Sequence, residues 1–256
     1  MSAGPPLLEV DGDGRATITL NRPQHLNRLH REDLAALQAH IAAVAANPAV
    51  RLLVITGRGR AFCAGFHLGE LNEAEAASAD PQAFERMVDA LEGLPQPTLA
   101  RLNGGVYGGA TDLALACDFR VGTAGMELRM PAARLGLHYY PGGLRRYVNR
   151  LGLQAAKRLF LLGEAVDAAE LLRIGYIDAV AEVDQLDAEV DRIAAALLAG
   201  APLAVAGMKA SLNEIARGDL DLTRLRGREA RCAASDDLQE GLAAFAARRA
   251  PLFHGR

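Results

Sequence analysis

The sequence predicts an α/β fold with a parallel sheet at its core. Three observations carry that expectation. A half-buried strand, an amphipathic helix and a continuously apolar strand follow one another in the first 56 residues. A second apolar strand lies near residue 100. Each apolar strand runs on into a glycine-rich turn, the place where helix N-termini and free amides gather in α/β sheets.

Ala16, Ile18 and Leu20 alternate with polar neighbours up to Asn21-Arg22-Pro23, a half-buried strand stopped by a proline. From Arg31 the apolar residues Leu34, Leu37, Ile41 and Val44 fall at helical spacing, and Asn47-Pro48 ends that helix. Val50 to Thr56 is almost all apolar and β-branched, which suits a strand covered on both faces, so a βαβ-like unit is expected. Pro97 to Leu102 reads as the next buried strand, followed by a loop with Gly104, Gly105, Gly108 and Gly109, then a helix over Ala110 to Cys117. From Leu151 onward the chain reads as mostly helical, with Leu186, Val190, Ile193 and Leu197 as one apolar stripe. Pro202 opens a C-terminal helical portion that includes Met208 to Arg217 and Asp236 to Arg248. The expected division is a core over residues 1–200 and a helical region over 201–256.

Composition excludes several function classes. With 256 residues, half of them hydrophobic, the chain is long enough to bury a full core. A net charge of -3 leaves no basic field for a nucleic acid. The start, MSAGPPLLEVDGDG, has neither the basic nor the apolar region of a secretory signal, and no apolar run approaches a membrane span, so a cytoplasmic protein without a membrane partner is expected. Cys63, Cys117 and Cys232 are odd in number and far apart, which favours buried thiols over disulfides or zinc. The six histidines show no HExxH and no cluster at ligand spacing, so no metal is expected.

Six stretches, in order, resemble the crotonase (enoyl-CoA hydratase/isomerase) superfamily: ITLNRPQHLN from Ile18, VITGRGRAFCAGFHL from Val54, PTLARLNGGVYGGATDLALACDFRV from Pro97, MPAARLGL from Met130, GEAVDAAELLRIGYIDAVA from Gly163, and the C-terminal SDDLQEGLAAFAARRAPLFHGR. The resemblance implies a spiral of ββα units with a C-terminal helical region that closes trimers, often paired into hexamers. It also implies an acyl-CoA substrate and no separate cofactor, coenzyme A being carried as part of the substrate.

Attack on a thioester, or loss of its α-proton, puts negative charge on the carbonyl oxygen, and two aimed amides meet that need. The resemblance assigns this task to the backbone N–H groups of Phe66 and Gly109. Asp112 falls where many family hydratases carry a glutamate, while the position of a second glutamate is occupied here by Ala132. Other family members place an aspartate at the position matching Tyr140. The expected chemistry therefore uses Asp112 as the principal acid/base, with His138, Tyr139 or Tyr140 supplying a second polar contact. Ala64 and Leu68 match positions lining the adenine site, and Arg28 and Arg60 suit the coenzyme A phosphates. The absence of glutamate at 132 keeps open an isomerase, a decarboxylase, a C–C hydrolase or a non-catalytic acyl-CoA-binding paralogue beside a hydratase. The alanine-rich stretch Ala74 to Asp80 suits a lid over the pocket.

Overall fold

The computed structural model describes residues 3–71 and 80–256, so the expected lid at Ala74 to Asp80 lies, but for Asp80, outside the described residues. Strands β1 (Leu7–Val10) and β2 (Arg15–Leu20) form a hairpin, and helix α1 (Arg31–Ala46) returns the chain to β3 (Leu52–Gly57), which pairs parallel to β2 from Arg15 opposite Leu52 to Leu20 opposite Gly57. This is the βαβ unit read from the hydrophobic pattern, and α1 buries the stripe Leu34, Leu37, Ile41 and Val44. Its first turn is secured by Asp33, which accepts the His30 N–H at 2.8 Å and the Arg22 guanidinium at 2.9 Å.

Beyond α1 the same ββα unit recurs. Strand β3 is followed by β4 (Ala61–Cys63) and α2 (Ala83–Glu92), then β5 (Thr98–Leu102) by β6 (Gly105–Tyr107) and α3 (Gly109–Ala116). Next, β7 (Phe119–Thr123) is followed by β8 (Glu127–Arg129) and α4 (Pro141–Lys157). The first strand of each unit joins a six-stranded sheet, in the order β1-β2-β3-β5-β7-β10, where β10 is Ala179–Ala181. In the three units after α1 the second strand joins a four-stranded sheet, β4-β6-β8-β9, with β9 at Val166–Asp167, whereas β1 and β2 both lie in the six-stranded sheet. Each unit thus steps one strand further along both sheets, which is the ββα spiral that the resemblance implied. Helices α5 (Ala168–Arg173), α6 (Leu186–Leu198), α7 (Pro202–Arg217), α8 (Leu222–Ala233) and α9 (Asp236–Ala247) complete the chain. Among the described residues no single helix is long and apolar enough to cross a membrane.

Two elements differ from the sequence expectation. The glycine run after β5 was expected to be all loop, but it contains β6, which pairs with both β4 and β8. Three residues are too few to show a strand periodicity. Helix α4 begins at Pro141, ten residues before the expected helical stretch at Leu151. Pro141 stands in the first turn, where a missing N–H costs little. Glu85 accepts the Gly142 N–H at 2.9 Å. Gly143 is required by packing, since a Cβ there would lie 2.3 Å from the Tyr139 ring. The glycine pair that masks the helical period in the sequence is what lets the helix start against the aromatic cluster.

One buried side chain ties the first unit to the second. The Asn27 amide donates to the carbonyls of Arg58, Ala61 and Phe62 at 2.9, 2.9 and 3.1 Å, and its oxygen accepts the Arg22 N–H at 2.9 Å. Asn27→Ala removes these hydrogen bonds and their link between the units and should lower the unfolding free energy by about 3 kcal/mol, measured by urea unfolding. A loss below about 0.5 kcal/mol would contradict this role.

Candidate active site

The turn after β4 uses nearly all of its amides internally. Ala64 N–H donates to the Leu26 carbonyl and His67 N–H to the Leu29 carbonyl, both at 2.8 Å, while Gly65 N–H meets the Cys63 sulfur at 3.3 Å. Phe66 is the bridge partner of Leu29 in a parallel pairing, so the flanking residues bond to Leu29 and the Phe66 N–H points the other way. Among the described residues it has no acceptor.

The turn after β6 repeats the arrangement. Gly108 N–H donates to the Arg129 carbonyl at 2.9 Å and Thr111 N–H to the Gly108 carbonyl at 3.0 Å, while Gly109 N–H has no acceptor among the described residues. Gly109 is the first residue of α3, so its N–H is one of the orphan donors at a helix N-terminus and carries the positive end of the helix dipole. Gly108, at φ 54° and ψ −129°, adopts a backbone that side chains rarely tolerate.

The two turns touch. A Cβ on Gly65, whose φ is +85°, would stand 2.6 Å from the Tyr107 carbonyl oxygen and 3.0 Å from the Gly109 nitrogen. Only glycine lets the first turn approach the second so closely, and both Phe66 and Gly109 line one cavity of about 900 Å³. Its wall is mostly apolar, with Leu34, Leu68, Phe84, Met130, Leu135 and Leu137.

The same cavity is lined by Tyr139 and Tyr140, stacked with ring centroids 4.3 Å apart. The Tyr139 hydroxyl donates to the Tyr140 hydroxyl at 3.2 Å, and the Tyr140 hydroxyl donates to Asp112 Oδ2 at 2.5 Å. Asp112 is fully buried on α3, with the equally buried Arg146 guanidinium 3.6 Å from the same oxygen. Its Oδ1 has no partner among the described residues. Burial pushes the Asp112 carboxyl up to about 6, against the pull of Arg146 and of the Tyr140 hydrogen bond. Burial and the neighbouring Asp112 charge also raise the Tyr140 hydroxyl above its usual range.

A family model described as enoyl-CoA hydratase/isomerase matches residues 12–256. The chain belongs to this family. It is 33% identical over 242 residues to the crotonyl-CoA hydratase of Syntrophomonas wolfei, spanning 91% of this chain and 92% of that one. It is 32% identical to the enoyl-CoA isomerase/hydratase fer4 of Mycosarcoma maydis, with 97% of both chains covered. Among solved structures, an enoyl-CoA hydratase/carnithine racemase from Magnetospirillum magneticum superposes with a TM-score of 0.92 at 29% identity, over 100% of this chain and 97% of that one. The crotonase fold expected from the sequence is therefore the fold of this chain.

Within this crotonase scaffold, Phe66, Gly109, Ala64, Leu68, His138 and Tyr140 all border the cavity. His138 is exposed, and its Nδ1 lies 2.8 Å from the neighbouring Tyr139 carbonyl. Arg28 and Arg60 stand outside the lining: Arg28 Nε contacts His30 Nε2 at 3.3 Å, and Arg60 is exposed. Asp112 is also absent from the lining: it is fully buried, and its carboxylate accepts a hydrogen bond from Tyr140, which does line the cavity. The resemblance put Asp112 and Tyr140 in one region without showing which of them borders the cavity.

Arg146 was missed in the sequence, and Glu70 was read only as the start of a pocket-forming segment, Glu70 to Gln82. Arg146 reads as one of a pair of surface arginines at 145 and 146, yet its side chain is wholly buried and pairs with Asp89 at 2.7 Å. Glu70 lines the cavity and is held by His30 at 2.6 Å and the Arg31 N–H at 3.0 Å. Burial opposes its charge, yet these bonds and the nearby cations keep its carboxyl below the usual range. Among the described residues, no three His, Cys, Asp or Glu come together so as to hold a metal ion.

Two outcomes follow from this geometry. Gly65→Ala should cost about 2 kcal/mol of stability through the strained φ and the carbonyl clash, and should lower turnover by displacing the Gly109 amide; thermal melting and a steady-state assay read both effects. The folded state prefers Asp112 neutral, so it retains a proton that the unfolded chain releases between 3.8 and about 6. Stability should fall as pH rises through that window, and Asp112→Asn should flatten that part of the stability profile.

Proposed function

We propose that this chain converts an unsaturated acyl-CoA thioester through an enolate whose oxygen is held by the Phe66 and Gly109 amides. The observation that carries the proposal is the pair of N–H groups that, among the described residues, have no acceptor, both belonging to residues on the wall of one cavity. An amide aimed at a developing oxyanion contributes on the order of 3 kcal/mol to transition-state stabilisation in a water-poor site. Coenzyme A enters as part of the substrate, and no separate cofactor is needed for the proton chemistry. Ala64 and Leu68 would meet its nucleotide end, and Arg28 and Arg60, outside the cavity, its phosphates.

Within this class, relocation of a double bond fits the site better than addition of water. Ala132 lines the cavity with a methyl group where the resemblance puts a second glutamate. Among the described residues, the carboxylates that line it are already engaged, Glu70 by His30 and the Arg31 N–H and Asp80 by Arg86. Hydration asks one group to activate water and another to deliver a proton. Isomerisation needs one group, which takes a proton from one carbon and returns it to another. The names of the relatives cover both activities, and the expected rank order is isomerisation of but-3-enoyl-CoA above hydration of crotonyl-CoA. Hydration faster than isomerisation would contradict this order. Tight acyl-CoA binding without turnover of either would assign the chain to a non-catalytic role.

The C-terminal helices support a homotrimer or a dimer of trimers, acting in the cytoplasm. No residue of α7 is fully buried, and Met208, Leu212, Leu242 and Phe245 are exposed, Phe245 at 87%. Burying these side chains against neighbouring copies would remove them from water. Light scattering should give three or six times the mass of one chain; a monomer would contradict the assembly.

A further inference from the structure

The enolate reading leaves open how a carboxylate sealed from the cavity exchanges a proton with a substrate inside it. We infer that Tyr140 is the catalytic acid/base that touches the substrate, and that Asp112 is a proton store acting through it. The inference rests on the enolate reading and goes beyond it.

The geometry is specific. Tyr140 lines the cavity and Asp112 does not. The Tyr140 hydroxyl is 2.5 Å from Asp112 Oδ2, close enough for a proton to pass between them. Gly143 is glycine at a point where a Cβ would also come within 2.9 Å of the Tyr140 ring, so the start of α4 fixes that ring against the carboxylate. Tyr139 donates into the same hydroxyl and leaves Tyr140 a lone pair for an incoming proton.

The step balances as follows. The α-C–H bond of the substrate breaks and its proton goes to Tyr140 Oη. The proton already on Oη moves to Asp112 Oδ2. The electron pair of the broken bond runs into the thioester carbonyl, whose oxygen faces the Phe66 and Gly109 amides. In the return step Asp112 gives its proton back to Oη, and Oη delivers its own to the carbon that ends as saturated. Tyr140 is neutral before and after each step, so no tyrosinate forms beside a carboxylate. A carboxyl titrating near neutrality, as burial makes Asp112, is matched to both halves of the task. The charged and titratable groups that face it are Arg146 from α4, Glu92 and Asp89 from α2, and the hydroxyls of Tyr139, Tyr140, Tyr147 and Tyr176.

The test follows exchange of the α-protons of butyryl-CoA in deuterated water by mass spectrometry. The wild type should exchange, with a rate that rises with pH through about 6, and a proton inventory should curve because two protons move together. Tyr140→Phe should lose about a hundredfold in exchange with butyryl-CoA affinity unchanged. Asp112→Asn, which keeps the shape of the side chain, should lose a comparable factor together with the rise near pH 6. Binding of butyryl-CoA confirms that each variant is folded. Should Tyr140→Phe exchange at the wild-type rate and keep the rise near pH 6, Asp112 acts directly and the relay is overturned, while the enolate reading stands. A wild type that binds butyryl-CoA and shows no exchange overturns both.

Discussion

Two backbone N–H groups with no acceptor among the described residues, brought together by the contact of two glycine turns, set the terms for the site. Leaving such donors unpaired inside a protein is costly, and folded chains rarely do it away from helix ends and ligand sites. Here the Phe66 N–H is turned outward by the parallel bridge to Leu29, and the Gly109 N–H is freed by standing first in α3. Gly65 then allows the approach, since a Cβ would meet the Gly109 nitrogen at 3.0 Å. The two sheets explain why these turns are neighbours at all. Each turn follows a strand of the four-stranded sheet, and β4 and β6 are adjacent and parallel in it.

The tyrosine-lined wall follows a different logic. It is built of side chains whose ordinary ionisation is suppressed, with Tyr139, Tyr140 and Asp112 all shifted towards their neutral forms by burial. Arg146 offsets part of that cost from behind, and it is anchored in turn by Asp89 at 2.7 Å and Glu92 at 3.4 Å. Removing one member of such a set exposes the others to the full penalty of an uncompensated buried charge. The ion pairs between α2 and α4 therefore set the charge of Asp112 as well as the packing of the helices.

Much of the fold was legible because its signals are local. The period of α1 and the β-branched run of β3 each name their element, and Asn47 and Pro202 mark helix ends within a residue of where they fall. The start of α4 was hidden because Gly142 answers to the carboxylates of Glu85 and Asp89 and Gly143 to the rings of Tyr139 and Tyr140, which no periodicity reports. The two glycine-rich turns were read from the sequence pattern and the role of the Phe66 and Gly109 amides from the resemblance, while the lack of an acceptor for either among the described residues emerges only in the folded chain. That Tyr140 lines the cavity and Asp112 does not, and that Arg146 rather than Arg145 is buried, depends on tertiary packing and leaves no mark in residue spacing.

The most direct measurement is a crystal structure of the chain with a bound acyl-CoA. The thioester oxygen should lie about 3 Å from both the Phe66 and the Gly109 nitrogens, with the α-carbon turned towards Tyr140. A thioester seated elsewhere in the cavity, or both amides bonded to water or protein while the carbonyl points away, would contradict the account.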